Sequence, residues 1–133
     1  MIEKRAYGMY RKSSKPFSQA RQDLIDALKE RGFGILWEID VKKTMKEKVG
    51  ADMEPYVILG ACNPPIAHQA FSAEPDVGLL LPCNCIVRST QGGTILGAVE
   101  PHELLKLTGR GDIAPLADQV ETALAQAIDE AAG

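Results

Sequence analysis

No stretch of this chain approaches the roughly 20 consecutive apolar residues that a bilayer-spanning helix needs. The longest apolar run, Val77 to Leu81 resumed at Cys83 to Val87, is broken by Pro82 and Asn84. The first residues, Met1-Ile2-Glu3-Lys4-Arg5, are charged but have no apolar core behind them, so no signal peptide and a cytoplasmic location are expected. Cysteine is scarce. Cys62, Cys83 and Cys85 are too few and too unevenly spaced for a disulfide framework, and in a reducing compartment each serves as core, ligand or nucleophile. A basic excess is missing as well. Fifteen Lys and Arg against 18 Asp and Glu leave a net charge of −3, which argues against a nucleic-acid or membrane-surface binder. There is no internal repeat, low-complexity tract or Gly/Ser/Pro-rich linker, so residues 1–133 are expected to form a single domain. What is present, 45% hydrophobic and 25% charged residues, is the composition of an ordinary globular protein and not of a disordered or fibrous one.

Periodicity then assigns the elements. Tyr7 to Arg11 is predicted as a first strand, with Tyr7, Met9 and Arg11 on one side, ended by Pro16. Ser18 is the expected N-cap of a helix that sets Phe17, Ala20, Leu24, Ile25 and Leu28 at helical spacing. Lys29 and Arg31 suit its negative end, and Gly32 the left-handed position after it. In Phe33 to Val41, Phe33, Ile35, Trp37 and Ile39 alternate with Gly34, Leu36, Glu38 and Asp40, the pattern of a strand with one apolar face. A short helix over Met45 to Val49 follows, with Thr44 and Glu47 as a capping box and Gly50 closing it. Tyr56 to Leu59 reads as a buried strand, and Asn63 with Pro64 opens a helix carrying Ile66, Ala67, Ala70 and Phe71.

Val77 to Leu81 and Cys83 to Ser89 are strand material parted by Pro82, which predicts a bulge or a sheet edge there. Gln91-Gly92-Gly93 turns the chain into Thr94 to Val99 as an antiparallel hairpin. Pro101 opens a helical turn through Leu105, and Gly109-Arg110-Gly111 is a flexible connection. Ile113 to Ala131 is an amphipathic helix with Leu116, Val120, Ala123, Leu124, Ala127 and Ile128 on one face. The crossover helices of a parallel sheet are missing on both sides of the Cys83 segment. The predicted class is therefore α+β, a two-layer sandwich with helices on one face of a largely antiparallel sheet.

Two segments carry the chemistry. In Gly60-Ala61-Cys62-Asn63-Pro64-Pro65 a strand enters a turn whose following helix points its first amides back, an arrangement that favours an anion or a thiolate at Cys62. The other is Leu81-Pro82-Cys83-Asn84-Cys85, a second thiol beside an amide side chain. If the two meet in space, Cys62, Asn63, Pro64, Cys83 and Asn84 line one ligand site, with His68 within a helical turn of the prolines. Thiol chemistry with Cys62 as nucleophile or redox group is the competing expectation. A soft-metal site from Cys62, Cys83, Cys85 and His68 fits poorly, since structural zinc takes C-x2-4-C pairs, and no metal is expected. Cysteines packed as small core hydrophobes, with Asn-Pro as turn chemistry, explain the same residues without a ligand. Glu100-Pro101-His102-Glu103 reads as a solvated loop, Glu38 and Asp40 as a solvated sheet face, and Gly109-Arg110-Gly111-Asp112 lacks the spacing of a P-loop or dinucleotide fingerprint.

Gly32-Phe33-Gly34 leading into Glu38-Ile39-Asp40-Val41, then Leu59-Gly60-Ala61-Cys62-Asn63-Pro64, then Gly78-Leu79-Leu80-Leu81-Pro82-Cys83-Asn84 resemble domain-of-unknown-function family 302 over nearly the whole chain. The resemblance implies a small α+β sandwich of TATA-binding-protein-like topology, bacterial or archaeal, with dimeric members and no established activity. It implies Cys62, Asn63, Cys83 and Asn84 as the shared core, with an aliphatic residue usual at position 85 and a variable one at 68, which counts against a three-cysteine metal site. DNA binding does not follow from such a topology. The expectation is a cytoplasmic homodimer that binds a small molecule or ion, with cofactor unknown. A thiol-dependent enzyme and a structural dimer without ligand are the alternatives.

Overall fold

The computed structural model describes residues 1–133. Side chains of extended backbone alternate between faces, and that alternation organises the sheet. β2 (Gly8–Ser13) turns Met9 and Ser13 inward, and β4 (Tyr56–Cys62) turns Val57, Leu59 and Ala61 the same way. β5 (Cys83–Thr90) contributes Cys83, Cys85 and Val87, and β6 (Gly93–Val99) contributes Thr94, Leu96 and Ala98. With β1 (Glu3–Arg5) and β3 (Gly34–Asp40) at the edges, the strands form one six-stranded sheet, order β1-β2-β6-β5-β4-β3. Every neighbouring pair is antiparallel, with Met9 opposite Ala98, Val87 opposite Leu96 and Leu59 opposite Cys85.

Two long helices cover the inward face. α1 (Phe17–Glu30) buries Ala20, Leu24, Ile25, Ala27 and Leu28, and α5 (Ala114–Ala132) buries Val120, Leu124, Ala127 and Ile128 into the same core as Met9, Leu59 and Leu96. Each fully buried Leu or Ile contributes about 1.5–3 kcal/mol relative to exposure, so this contact is the principal source of stability. Tyr10, Ile58, Ile86 and Ile95, which alternate with the inward residues, belong to neither core cluster. The chain is thus α+β with its core on one face of an antiparallel sheet. No helix is long and apolar enough to cross a membrane. A smaller cluster (Ala70, Val77, Leu105, Ile113, Leu116 and Ala117) joins α3 (Pro64–Ala73), α4 (Pro101–Leu105) and the first half of α5.

The C-terminal carbonyls of α5 are met by the end of β2 and the loop after it. Ser13 Oγ donates to the Ala132 carbonyl at 2.9 Å, Lys15 Nζ to that of Ala131 at 2.8 Å, and Arg11 Nη2 to that of Gly133 at 2.9 Å. Cations there also complement the negative end of the helix dipole. The helix before Asn63 has a side-chain cap too: Asp40 Oδ1 accepts from the Lys43 amide at 2.9 Å and starts α2 (Val41–Val49), which ends at Gly50 with φ 66°.

Several expectations need correction. The first strand is two, β1 and β2, joined by a turn in which Ala6 has φ 45° and Tyr7 is exposed. α1 starts at Phe17, one residue before the expected cap Ser18, and has no side-chain cap. α2 begins at Val41, because Asp40 caps it in place of Thr44. A bulge between Ile35 and Trp37 breaks the alternation of β3: Ile35 pairs with Ala61 on the core face, whereas Trp37 pairs with Gly60 on the other. Val77 to Leu81 is not strand, since Pro75–Leu79 is a 3-10 helix, and β5 is a central strand that begins only after Pro82.

Candidate functional site

β4 runs beside β5 with Ala61 opposite Cys83, so the two cysteine-bearing motifs come together at one end of the sheet. There the chain leaves an apolar cavity of about 200 Å³. Cys62, Asn63, Leu81, Pro82 and Cys83 form its sheet side, and Phe33 with Leu36 its edge. α3 supplies Ile66, Ala67, Ala70 and Phe71; α4 supplies Pro101, Leu104 and Leu105; α5 supplies Leu116 and Val120. Fourteen of the 18 lining residues are hydrophobic. Asn63 holds its place by capping α3, its Oδ1 accepting from the Ile66 amide at 3.2 Å, with Pro64 in the first turn. Gly32, at φ 83°, lets Asn63 approach, because a Cβ there would lie 3.0 Å from Asn63 Nδ2.

Cys62, Asn63 and Cys83 therefore share the cavity, and three other expected site residues do not. Asn84 lies opposite Gly60 and is exposed: strand alternation sends it to the other face when Cys83 and Cys85 point inward. Pro64 and His68 are exposed on α3, whose apolar residues face the cavity from its other side. Cys85 is fully buried between β4 and β6, paired with Leu59 and Ala98, away from the cavity.

The three cysteines are free thiols. Burial pushes the Cys62 thiol up from its ordinary range. Burial first, and then the neighbouring Cys62, push Cys83 up to about 11. Cys85, wholly desolvated, is pushed higher still. The expected thiolate at Cys62 is thus opposed by the apolar setting. Nucleophilic chemistry has no activating base in this cavity, since no imidazole or carboxylate lines it.

Glu100-Pro101-His102-Glu103, expected to be a solvated loop, is instead a partly buried junction, with Glu100 8% exposed. Glu100 caps α4, its carboxylate accepting from the amides of His102 and Glu103. His102 meets Glu100, Asp118 and Glu121, and Lys4 donates to Glu121. Glu100, His102 and Glu121 are the one set of side chains close enough to share an ion, but their facing atoms already pair with each other and with Lys4. Sequence order hid this cluster, because Lys4 and the α5 carboxylates come from distant segments. Of the other carboxylates considered, Glu38 accepts from Arg21 Nε at 2.6 Å and Asp40 is a helix cap. A second hollow of about 390 Å³ beside α4 is larger but has only four hydrophobic residues among its nine, and its Lys106 and Arg110 are paired with Glu103 and Asp112.

A crystal structure of an uncharacterised conserved DUF302 protein from Bacillus stearothermophilus is similar to this chain at 30% sequence identity. It aligns over 95% of this chain and 98% of that one, with a TM-score of 0.88. No curated protein matches the chain. The model of the family described as domain of unknown function DUF302 matches residues 9–131, so the chain belongs to that family.

Proposed function

We propose that this chain is a binding protein for a small, predominantly apolar molecule, held in the cavity between α3, α4, α5 and the β4–β5 end of the sheet. The observation that carries the reading is a 200 Å³ space with mostly hydrophobic walls and one amide side chain, Asn63, beside it. An apolar cavity of about 150 Å³ takes up benzene, so this one has room for a single substituted ring or a short alkyl chain. Such sites combine an apolar lining with a few polar groups that orient the ligand, a part that falls to Asn63 and the thiols of Cys62 and Cys83. A thiol-dependent enzyme is the competing reading, and the raised thiols of Cys62 and Cys83 favour binding over catalysis. Toluene titrated into the protein, followed by methyl NMR, tests the proposal. Saturable shifts confined to the cavity leucines, isoleucine and valine are expected, with their loss in Ala67→Leu, which fills the space. Shifts absent at millimolar toluene would overturn it.

The partner proposed is a second copy of the same chain, docking through the sheet face that α1 and α5 leave bare. Trp37 and Ile39, 37% and 42% exposed, stand at one edge of that face, which continues through Ile58 and Ile86 to Tyr10. Six strands at ~4.8 Å spacing and ~3.3 Å per residue offer a face of roughly 24 by 23 Å. That is about 550 Å² in projection, roughly two-thirds of the ~800 Å² per partner that stable interfaces bury. Sedimentation should give a dimer that Ile86→Lys dissociates; a monomer at high concentration would sink the proposal. Three free thiols fit a reducing, cytoplasmic setting.

A further inference from the structure

His102 stands between carboxylates on both of its ring nitrogens. Nδ1 is 3.1 Å from Glu100 Oε1 and 2.8 Å from Glu121 Oε2, and Nε2 is 2.6 Å from Asp118 Oδ1. Ionised carboxylates only accept, and a neutral imidazole has one N–H and one lone pair. Either neutral tautomer therefore aims a lone pair at a carboxylate oxygen within hydrogen-bond distance. Only the imidazolium donates from both nitrogens.

The partners come from every element around the ring. Glu100 precedes α4 and caps it, Asp118 and Glu121 stand on α5, and Lys4 reaches Glu121 from β1. Nearby Glu103 and Lys106 pair with each other, and Arg110 pairs with Asp112 and faces Glu74. When the ring loses its proton, Lys4 is the one cation left in contact with this carboxylate group. The same five-residue helix carries Pro101, Leu104 and Leu105 on the cavity wall, and two glycines, Gly109 at φ 71° and Gly111, follow it.

We infer that the charge on His102 regulates access to the apolar cavity: the imidazolium clamps α4 against α5, and the neutral ring loosens that wall. The inference rests on the cavity being a binding site, and it adds how that site opens. The carboxylates of Asp118 and then Glu100 hold the ring proton above the ordinary imidazole range, so the change falls on the alkaline side of about 6.5. The device acts on entry and exit rates and needs no covalent step.

Toluene exchange measured by NMR on the full chain from pH 6 to 9, beside amide hydrogen exchange in residues 102–105, tests it. Both rates, the latter corrected for intrinsic exchange, should rise severalfold with a midpoint equal to the His102 ring titration. His102→Gln should give fast rates at every pH. Asp118→Asn, a milder change at a side chain 73% exposed, should move the midpoint down. If toluene binds but exchanges equally fast across the range, the clamp is refuted and the cavity stands. If toluene never binds, the cavity reading fails, and the 102–105 amides still decide whether the clamp exists.

Discussion

Individual positions set how reactive and how tolerant the site is. Cys62 and Cys83 lie in an apolar cavity that disfavours their charged forms, so alkylation of the native protein near neutral pH should be slow at Cys62 and negligible at Cys83 and Cys85. Mass spectrometry after timed iodoacetamide labelling reads this directly. Rapid modification of Cys62 with a midpoint under about 8.5 would restore the enzyme reading. On the opposite sheet face, Trp37 covers Gly60 so closely that an added Cβ would sit 2.5 Å from the indole. Gly60→Ala is therefore expected to cost about 1–3 kcal/mol, the usual penalty of overpacking, as a lowered urea midpoint. Gly78→Ala, where the nearest atom is the end of an exposed Phe71 ring at 3.4 Å, should cost much less.

At the scale of the element, helix starts decide where site residues stand. Asn63→Ala removes the cap of α3 and should destabilise the protein by about 1 kcal/mol in denaturant titration, while weakening ligand orientation. Asn63→Asp, which can still cap, should recover most of the stability. Elements of this local kind were legible in the residues themselves: Asn63-Pro64 announces a helix start, Gln91-Gly92-Gly93 a hairpin, and the spacing of Leu116, Val120, Leu124 and Ile128 a buried helix face. The meeting of Cys62 with Cys83 was only a condition at that level, and it is the pairing of β4 with β5 that brings the two motifs together. What was not legible depends on distant partners. The bulge at Leu36 leaves no mark in an alternating pattern, and it decides that Leu36 reaches the cavity whereas Trp37 covers Gly60. Leu104 and Leu105 become cavity wall only through α5, and Asn84 was expected in the site because adjacency in sequence conceals opposite faces of a strand.

For the molecule as a whole, stability and pH are tied through groups whose titration the fold alters. His102 is held protonated by Asp118 and Glu100, so its stabilisation is full below an unfolded pKa of about 6.5 and fades as pH rises through the higher folded value. Burial raises the Glu100 carboxyl, but hydrogen bonds from the His102 ring and from the amides of His102 and Glu103 outweigh it and hold it low. Glu38 is held low in the same sense by Arg21. These carboxylates stabilise above an unfolded pKa of about 4.3, and the contribution is lost as pH falls through their depressed folded values. Urea midpoints measured against pH should thus peak between the two limits, and His102→Gln should flatten the alkaline decline and, because the ring also helps hold Glu100 low, reduce the acid one in part. A profile without an alkaline decline in the wild-type chain would contradict this account of the junction.

The sheet order carries one more consequence. Met9 meets Ala98 only when chain segments about two-thirds of the protein apart come together, whereas β5 and β6 are joined by a short turn. The N-terminal ribbon of β1 and β2 is all that keeps Thr94–Val99, with its unbroken Ile95 and Leu96, from being an outermost strand. Should that ribbon peel off, β6 would offer its bare amides and carbonyls to any neighbouring copy, the usual route to edge-to-edge aggregation. The first dozen residues are in this sense a guard rail, and conditions that detach them should precipitate the protein well before they unfold its helices.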